Sequence, residues 1–178
     1  TQPPYCAIGD GITDDGPALT AAVATGKHIY LPDGYTFLMN GTMLAAQAGQ
    51  RFFGGGTLLK TIIPQVIPIT ASAAFIDVVN VLGVQVDGVV FNCTQTLDTG
   101  NREYGVTALG ARDLVVQNCQ FKGSVTPVFI FRNCTNSKII NNTMRSGLGG
   151  AFGIDTGGDR IGNTAGPVTD TFISGNYI

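Results

Sequence analysis

The chain has 178 residues and a formal net charge of −2, with 12% charged residues, 44% hydrophobic residues and 25 glycines. Disordered chains combine low hydrophobicity with high net charge, so this composition excludes disorder and predicts a single folded domain with a sizeable core. It offers no basic face for nucleic acid and no apolar run long enough to insert into a membrane. The many glycines favour a β-rich fold with tight turns.

The first predicted element is a short α-helix that follows an extended lead-in of about eight residues. Thr13 or Asp14 can cap its N-terminus, and the helix is expected to end at about Thr25, before a glycine. Leu19 and Val23 are four residues apart and belong to one apolar stripe. Because so short a helix is marginal alone, this stripe must pack against another part of the protein.

Two β-strands are predicted after the helix. Residues 27–31 (KHIYL) and 35–37 (YTF) are β-forming runs, and the turn-forming triplet Pro32-Asp33-Gly34 separates them. His28 in the first run is the sole histidine of the chain. A catalytic Ser-His-Asp triad is therefore not expected.

These two opening elements resemble a known family. GDGITDDGPALTAAV (residues 9–23) and HIYLPDGYTF (residues 28–37) are similar to the start of the pectate-lyase-like right-handed parallel β-helix superfamily, in the form found in bacteriophage tailspikes and capsule depolymerases. The likeness is close over about residues 8–58 and looser beyond. The chain departs from it at Gly16-Pro17, where relatives more often have Thr and Ala.

The resemblance implies a fold and a domain organisation. We expect an all-β, right-handed parallel β-helix, or solenoid, with a short N-terminal capping α-helix. Residues 1–26 would form the lead-in and cap, and residues 27–178 the coils of the same single domain. Carried onto this sequence, the resemblance implies that four residues organise the cap, namely Asp10, Thr13, Asp14 and Asp15.

A loose repeat supports the solenoid prediction. Five segments have a large apolar residue at positions one and six and only Gly or Asn, which tolerate a left-handed backbone, at position three. These segments are Phe53–Leu58, Val86–Phe91, Val116–Phe121, Ile139–Met144 and Ile173–Ile178. Each predicts a strand, a sharp bend and a second strand, and repetition at 23–34 residues is typical of a β-solenoid.

The last repeat ends with the chain, at Ile178. A β-helix that stops there would leave an unpaired edge, which invites association. We therefore expect this chain to be the N-terminal part of a longer β-helix, with the decisive catalytic residues beyond Ile178.

Cysteine spacing gives no sign of a metal site. Cys6, Cys93, Cys119 and Cys134 lack CxxC spacing, so a structural zinc site is not expected. A chain of this length does not need disulfides to fold, which favours buried free thiols that behave as small apolar residues. No metal and no cofactor are predicted.

One polar cluster is a candidate catalytic site. Asp155 and Asp159 lie in a glycine-rich loop after a predicted strand, and Arg160 follows them. Two nearby carboxylates are what glycoside hydrolysis requires, as acid and base or nucleophile, and the guanidinium could hold the glycan. The alternative is an ordinary polar turn held by Asx hydrogen bonds.

A second polar cluster is a candidate substrate-binding site. Arg102, Glu103 and Tyr104 combine a charged fork, a carboxylate and an aromatic ring, which suits a groove that binds sugar. Arg132 is placed on a neighbouring coil and could line the same side. The alternative is an ordinary solvated loop.

Three functions remain open from the sequence. The resemblance implies part of a bacteriophage tailspike, expected as a homotrimer on the virion tail, that binds and degrades bacterial surface polysaccharide as a hydrolase or lyase. The scarcity of carboxylates favours a non-catalytic structural or glycan-binding segment instead. A secreted pectate-lyase-like enzyme is the third alternative, but it would need a calcium-binding cluster of aspartates, for which Asp155 and Asp159 are the sole candidates.

Overall fold

The computed structural model describes residues 5–61, 74–94, 103–123, 125–130, 133–146, 154–155 and 167–177. Over these residues the chain is mostly β-strand, with one α-helix near its start. The strands lie in three sheets, and every strand pairing described is parallel. After the first strand, successive strands enter the three sheets in turn, so each pairs with the strand three places further along. This connectivity is consistent with the predicted parallel β-helix-like fold.

Within each sheet, the strands pair in the order in which they occur along the chain. Sheet 1 contains β1 (Asp10–Asp14), β3 (Thr36–Leu38), β6 (Thr57–Lys60), β9 (Val90–Cys93), β12 (Gln120–Gly123) and β15 (Thr143–Ser146). Sheet 2 contains β2 (Ile29–Tyr30), β5 (Arg51–Phe53), β8 (Gln85–Asp87), β11 (Val115–Gln117), β14 (Lys138–Ile140) and β17 (Phe172–Ser174). Sheet 3 contains β4 (Leu44–Ala45), β7 (Ala74–Val79), β10 (Glu103–Leu109), β13 (Val125–Ile130) and β16 (Ile154–Asp155).

Helix α1 (Gly16–Val23) confirms the predicted helix, but its N-terminus differs from the prediction. The N-cap is Asp15, without a side-chain capping bond, so the assignment to Thr13 or Asp14 was wrong. The reason is that both residues belong to β1, whose parallel pairing with β3 keeps the backbone extended. The Asp14 carboxylate still accepts a hydrogen bond from the Gly16 N–H at 3.1 Å.

The carboxylates around this helix start hold the local backbone. Asp15 is buried, and its two oxygens accept the N–H groups of Ile8 and Gly9 at 2.6 and 3.1 Å. Asp10 accepts the N–H groups of Ile12 and Thr13. Hydrogen bonds from the Thr13 and Ile12 backbone lower the pKa of the Asp10 carboxyl. These bonds fix the turn that leads the chain into the helix.

The apolar stripe of the helix packs into the main core, as predicted. Leu19 and Val23 are buried there together with Ala22 and side chains from all three sheets. Gln50, itself buried, donates its side-chain amide to the carbonyls of Val23 and Lys27 at 3.1 and 2.7 Å. These bonds tie the last residue of the helix and the turn after it to the residue that precedes β5.

The strand-bend-strand pattern is confirmed in the three middle repeats. In each, a strand of sheet 2 ends, the chain bends, and a strand of sheet 1 begins. The bend residues Gly88, Asn118 and Asn141 have φ angles of 77°, 56° and 55°, the left-handed conformation expected of Gly and Asn. The repeat therefore marks the corner at which the chain passes from one sheet to the next.

The first repeat was aligned wrongly by one residue at its start. Phe52 pairs with Val86 and is fully buried, whereas Phe53 pairs with Asp87 on the outer face and is half-buried. The left-handed bend residue is Gly54, with φ 111°. Two adjacent phenylalanines and three adjacent glycines left the register ambiguous, and only pairing with β8 decides it.

Three of the four cysteines are buried free thiols, which confirms that part of the prediction. Cys93, Cys119 and Cys134 lie in the core, while Cys6 is exposed. Burial raises the pKa of the Cys119 thiol to about 12. This thiol is therefore neutral at physiological pH and behaves as a small apolar residue.

The last repeat is only partly described. Phe172, Ile173 and Tyr177 are 58%, 46% and 68% exposed, and Ile178 lies outside the described residues. Strand β17 pairs with β14 and is the last strand described in sheet 2. Association through this edge stays a prediction.

Candidate functional site

Most of the predicted catalytic and binding side chains lie outside the described part of the chain. They are Arg102, Arg132, Asp159 and Arg160, together with the side chains of Glu103 and Asp155. The backbones of Glu103 and Asp155 belong to β10 and β16, so both positions are on sheet 3. Tyr104 is 5% exposed and packs near Ala74 and Met43. Its proposed stacking on a sugar stays a prediction.

Sheet 3 contains a buried carboxyl group that sequence analysis did not single out. Asp77 is 6% exposed, and its Oδ1 accepts a hydrogen bond from the Thr107 hydroxyl at 2.7 Å. Burial raises the pKa of Asp77, an effect that the Thr107 bond offsets only in part. A carboxyl with a raised pKa is a candidate proton donor, which makes Asp77 a candidate catalytic partner of Asp155.

Strand register argues against that pairing. Asp77 pairs with Thr107, Thr107 with Phe129, and Phe129 with Asp155. The backbones of Asp77 and Asp155 are thus three strand spacings apart, about 14 Å. Glycoside hydrolases hold their two carboxyl groups about 5–9.5 Å apart. Asp77 therefore acts on stability rather than as the second carboxyl of this pair.

A pH dependence follows from the raised pKa of Asp77. The folded state holds the proton more tightly than the unfolded chain, whose Asp pKa is about 3.9. The contribution of Asp77 to stability is therefore complete below that value and is lost as pH rises through the folded pKa. We expect Asp77→Asn, which can still accept the Thr107 bond, to be at least as stable as the parent at pH 7.

Urea unfolding at pH 4 and pH 7 checks this expectation. The stability difference between Asp77→Asn and the parent should favour the variant more at the higher pH. Asp10→Asn is the control, because the pKa of Asp10 is lowered and its removal should change the pH dependence in the opposite sense. Parallel pH profiles for Asp77→Asn and the parent would refute the argument.

The outer face of sheet 2 carries exposed aromatic rings beside an ion pair. The rings of Tyr30 and Phe53 are 5.2 Å apart between centroids, and Tyr30 is 54% exposed. The Arg51 guanidinium lies 5.0 Å from the Phe53 ring centre, and its Nη2 is 2.6 Å from Asp87 Oδ2. Asn118 donates its side-chain amide to Asp87 Oδ1 at 2.9 Å. We call these five residues the aromatic platform.

The surroundings of Asp87 in the platform favour its charged form. Burial by itself raises the pKa of Asp87, but hydrogen bonds from Asn118, Gln117 and Arg51 and the charge of Arg51 outweigh it and leave the pKa lowered. The Arg51 Nε–H is buried without a hydrogen-bond partner among the described residues. A buried polar group in this state calls for a partner such as water or a ligand.

Sequence reasoning missed the platform because its members are distant in the chain. Tyr30, Phe53 and Asp87 occupy one row across β2, β5 and β8, and the pairings Tyr30↔Phe53 and Phe53↔Asp87 bring them together. Asp87 is position two of the repeat Val86–Phe91, next to the apolar residue at position one, so its outward position could be predicted from the repeat. The residues beside Asp87 on this face could not be predicted, because the first repeat was misaligned by one residue.

The outer face of sheet 1 forms a polar groove. Its lining residues are Gln120, Phe121, Lys122, Thr143 and Arg145, around a volume of about 250 Å³. Gln120 pairs with Thr143, and Lys122 with Arg145, across neighbouring strands. The platform and the groove are two surfaces among the described residues that suit a polar ligand.

Neither a metal cluster nor a membrane-spanning helix is found in the described ranges. No group of three or more His, Cys, Asp or Glu side chains there is placed to hold a metal ion. No helix in that part of the chain is long and apolar enough to cross a membrane.

Comparison with known proteins shows a likeness of fold. No family model matches this sequence, and no curated protein matches it. The crystal structure of a putative glycosyl hydrolase from Parabacteroides merdae is similar, with a TM-score of 0.60 and 9% sequence identity. The similarity covers 97% of this chain and 92% of that chain. At this level of identity, the two proteins share a fold built on parallel β-strands.

Proposed function

We propose that this chain is part of a carbohydrate-active protein of the bacteriophage tailspike type, which binds and cleaves a bacterial surface polysaccharide. The aromatic platform is the observation that carries the proposal, and the fold shared with a putative glycosyl hydrolase supports it. We further propose that the three sheets close into a right-handed solenoid with α1 over its N-terminal end. Three copies would assemble on the virion tail.

The platform suits a sugar because it joins two kinds of contact. The apolar face of a pyranose packs on exposed aromatic rings such as Tyr30, whose large rigid surface costs little entropy to order. Beside the rings, the charged groups of Arg51 and Asp87 form strong hydrogen bonds with hydroxyl groups.

We assign cleavage to Asp155 and Asp159, of which Asp159 lies outside the described residues. Asp155 and Asp159 remain the proposed acid and base or nucleophile, with Arg160, Arg132, Arg102, Glu103 and Tyr104 as proposed contacts to the glycan. Asp155 is the last residue of β16, a strand of sheet 3. Along the chain, each strand of sheet 3 follows a strand of sheet 1.

A non-catalytic glycan-binding role is the second candidate. The observation that favours it is the Asp87 carboxylate, whose Arg51 ion pair and Asn118 hydrogen bond hold it in the charged form. Such a carboxylate is suited to binding hydroxyl groups rather than to donating a proton.

Replacing both platform rings is expected to weaken glycan binding. For Tyr30→Ala/Phe53→Ala we expect a loss of about tenfold in affinity, since contacts of aromatic rings are worth about 0.5–1.5 kcal/mol each. Calorimetric titration with fragments of bacterial surface polysaccharide measures it. Tyr35→Ala is the matched control, because Tyr35 is 50% exposed and lies outside the platform. An unchanged affinity in the double variant would remove the platform as the binding surface.

The same polysaccharides test for cleavage. Incubation with the intact protein should release reducing ends if it is a hydrolase, or unsaturated uronates if it is a lyase. An Asp155→Asn/Asp159→Asn variant should bind as the parent does but release neither product. Binding without product from the parent itself would favour the non-catalytic role.

A further inference from the structure

We infer that the groove on the outer face of sheet 1 binds a carboxylate group of an acidic glycan, so that the polysaccharide taken by this protein carries uronate units. The inference rests on the proposed function and adds the charge class of the ligand. Its site is formed by Lys122 and Arg145, with Gln120 and Thr143 beside them.

The first observation is that two cationic residues lie directly opposite each other on neighbouring strands. Lys122 and Arg145 are register partners on β12 and β15, and both are exposed. Neighbouring strands are about 4.8 Å apart, and like charges directly opposite each other destabilise a sheet. An anion bound between the two side chains would remove this repulsion.

The second observation is that no described acid neutralises the pair. The single ion pair described joins Arg51 and Asp87 on sheet 2. On the described strands of sheet 1, the acidic residues are Asp10 and Asp14 in β1, which is four strands away from β12. That separation is about 19 Å, well beyond the screening length of about 8–10 Å at physiological salt.

The third observation concerns the shape and polarity of the groove. Beside the two cations, Gln120 and Thr143 provide an amide and a hydroxyl that can bond sugar hydroxyl groups. The volume of about 250 Å³ is below the range of about 300–1,000 Å³ usual for closed ligand pockets. A short stretch of a polymer that continues beyond the groove fits these dimensions.

The groove also adjoins the aromatic platform. Asn118 of the platform occupies the bend between β11 and β12, and Gln120 of the groove is the first residue of β12. One extended glycan can therefore cross the corner between sheets 2 and 1, placing a sugar ring on the platform and a carboxylate in the groove. Two linked contacts of this kind strengthen binding beyond either alone.

The test compares a short hyaluronan oligosaccharide, whose glucuronate units carry carboxylates, with its methyl ester, which is neutral. We expect the acid form to bind about tenfold more tightly at low salt, with the difference shrinking as salt is added. Lys122→Gln/Arg145→Gln should abolish the difference. Lys27→Gln/Arg112→Gln, which removes the same charge from exposed positions elsewhere, should preserve it.

Each other outcome overturns the inference. Equal affinity for acid and ester, no binding of either, or a preference that survives in Lys122→Gln/Arg145→Gln would show that the groove does not hold a carboxylate. The platform variants separate this result from the proposed function. If neutral polysaccharides still bind in a manner that depends on Tyr30 and Phe53, the proposed function stands and the anionic site alone is lost.

Discussion

Replacing Phe91 with alanine is expected to lower the free energy of unfolding by about 3–5 kcal/mol, as large-to-small changes in a packed core do. Phe91 is fully buried. Its ring stacks on Phe121 at 4.9 Å with an angle of 4° between the planes, and it meets the edge of Phe75 at 5.6 Å. Removing it leaves a cavity in the core beneath β9, because the paired strands on both sides prevent the backbone from closing the gap.

Urea unfolding followed by circular dichroism measures this loss. Ile12→Ala is the control, because Ile12 is apolar but 82% exposed, and its removal should change stability by no more than about 0.5 kcal/mol. Similar effects of the two substitutions would mean that Phe91 does not lie in a tightly packed core.

Gly54→Ala is expected to be the second most damaging change, at about 2–5 kcal/mol. The φ of 111° at Gly54 is unfavourable for any residue with a Cβ atom, at a cost of about 1–2 kcal/mol. A Cβ there would also collide with the backbone carbonyl of Leu31, the residue after β2. Overpacking of this kind adds about 1–3 kcal/mol, since backbone that is hydrogen-bonded between strands cannot move aside cheaply.

Gly34→Ala separates these two costs. Gly34 also has a positive φ, of 80°, but a Cβ added there meets nothing within 4 Å. It should therefore show the conformational cost alone, about 1–2 kcal/mol, in the same unfolding assay. If Gly54→Ala were no more harmful than Gly34→Ala, the close approach between Gly54 and the Leu31 carbonyl would be refuted.

The general fold was readable from local patterns. Large apolar residues around a Gly or Asn bend recur because each repeat must bury its side chains and pass from one sheet to the next, and Val116–Phe121 shows both requirements in six residues. The stripe of Leu19 and Val23 likewise predicted a packed helix. Both features depend on residues close together in the chain, which is why sequence alone revealed them.

The errors arose where a long-range contact decides between local alternatives. Thr13 and Asp14 suit a helix cap, but pairing of β1 with β3 draws them into a strand. Phe52 and Phe53 are equally apolar, and only the register with Val86 and Asp87 determines which ring is buried. In both cases the deciding partner is more than 20 residues away.

The candidate binding surfaces likewise depend on long-range pairing, whereas the general properties of the chain depend on residues close together in sequence. The sequence by itself determined a β-rich protein with repeated bends, buried thiols and few charges, because composition and short-range spacing carry that information. Only the tertiary structure brought Tyr30 and Phe53 beside Asp87, and Lys122 opposite Arg145. Parallel strand pairing places residues about 20–35 positions apart in the chain on neighbouring strands about 4.8 Å apart, and the ligand-binding chemistry of an outer face depends on that register.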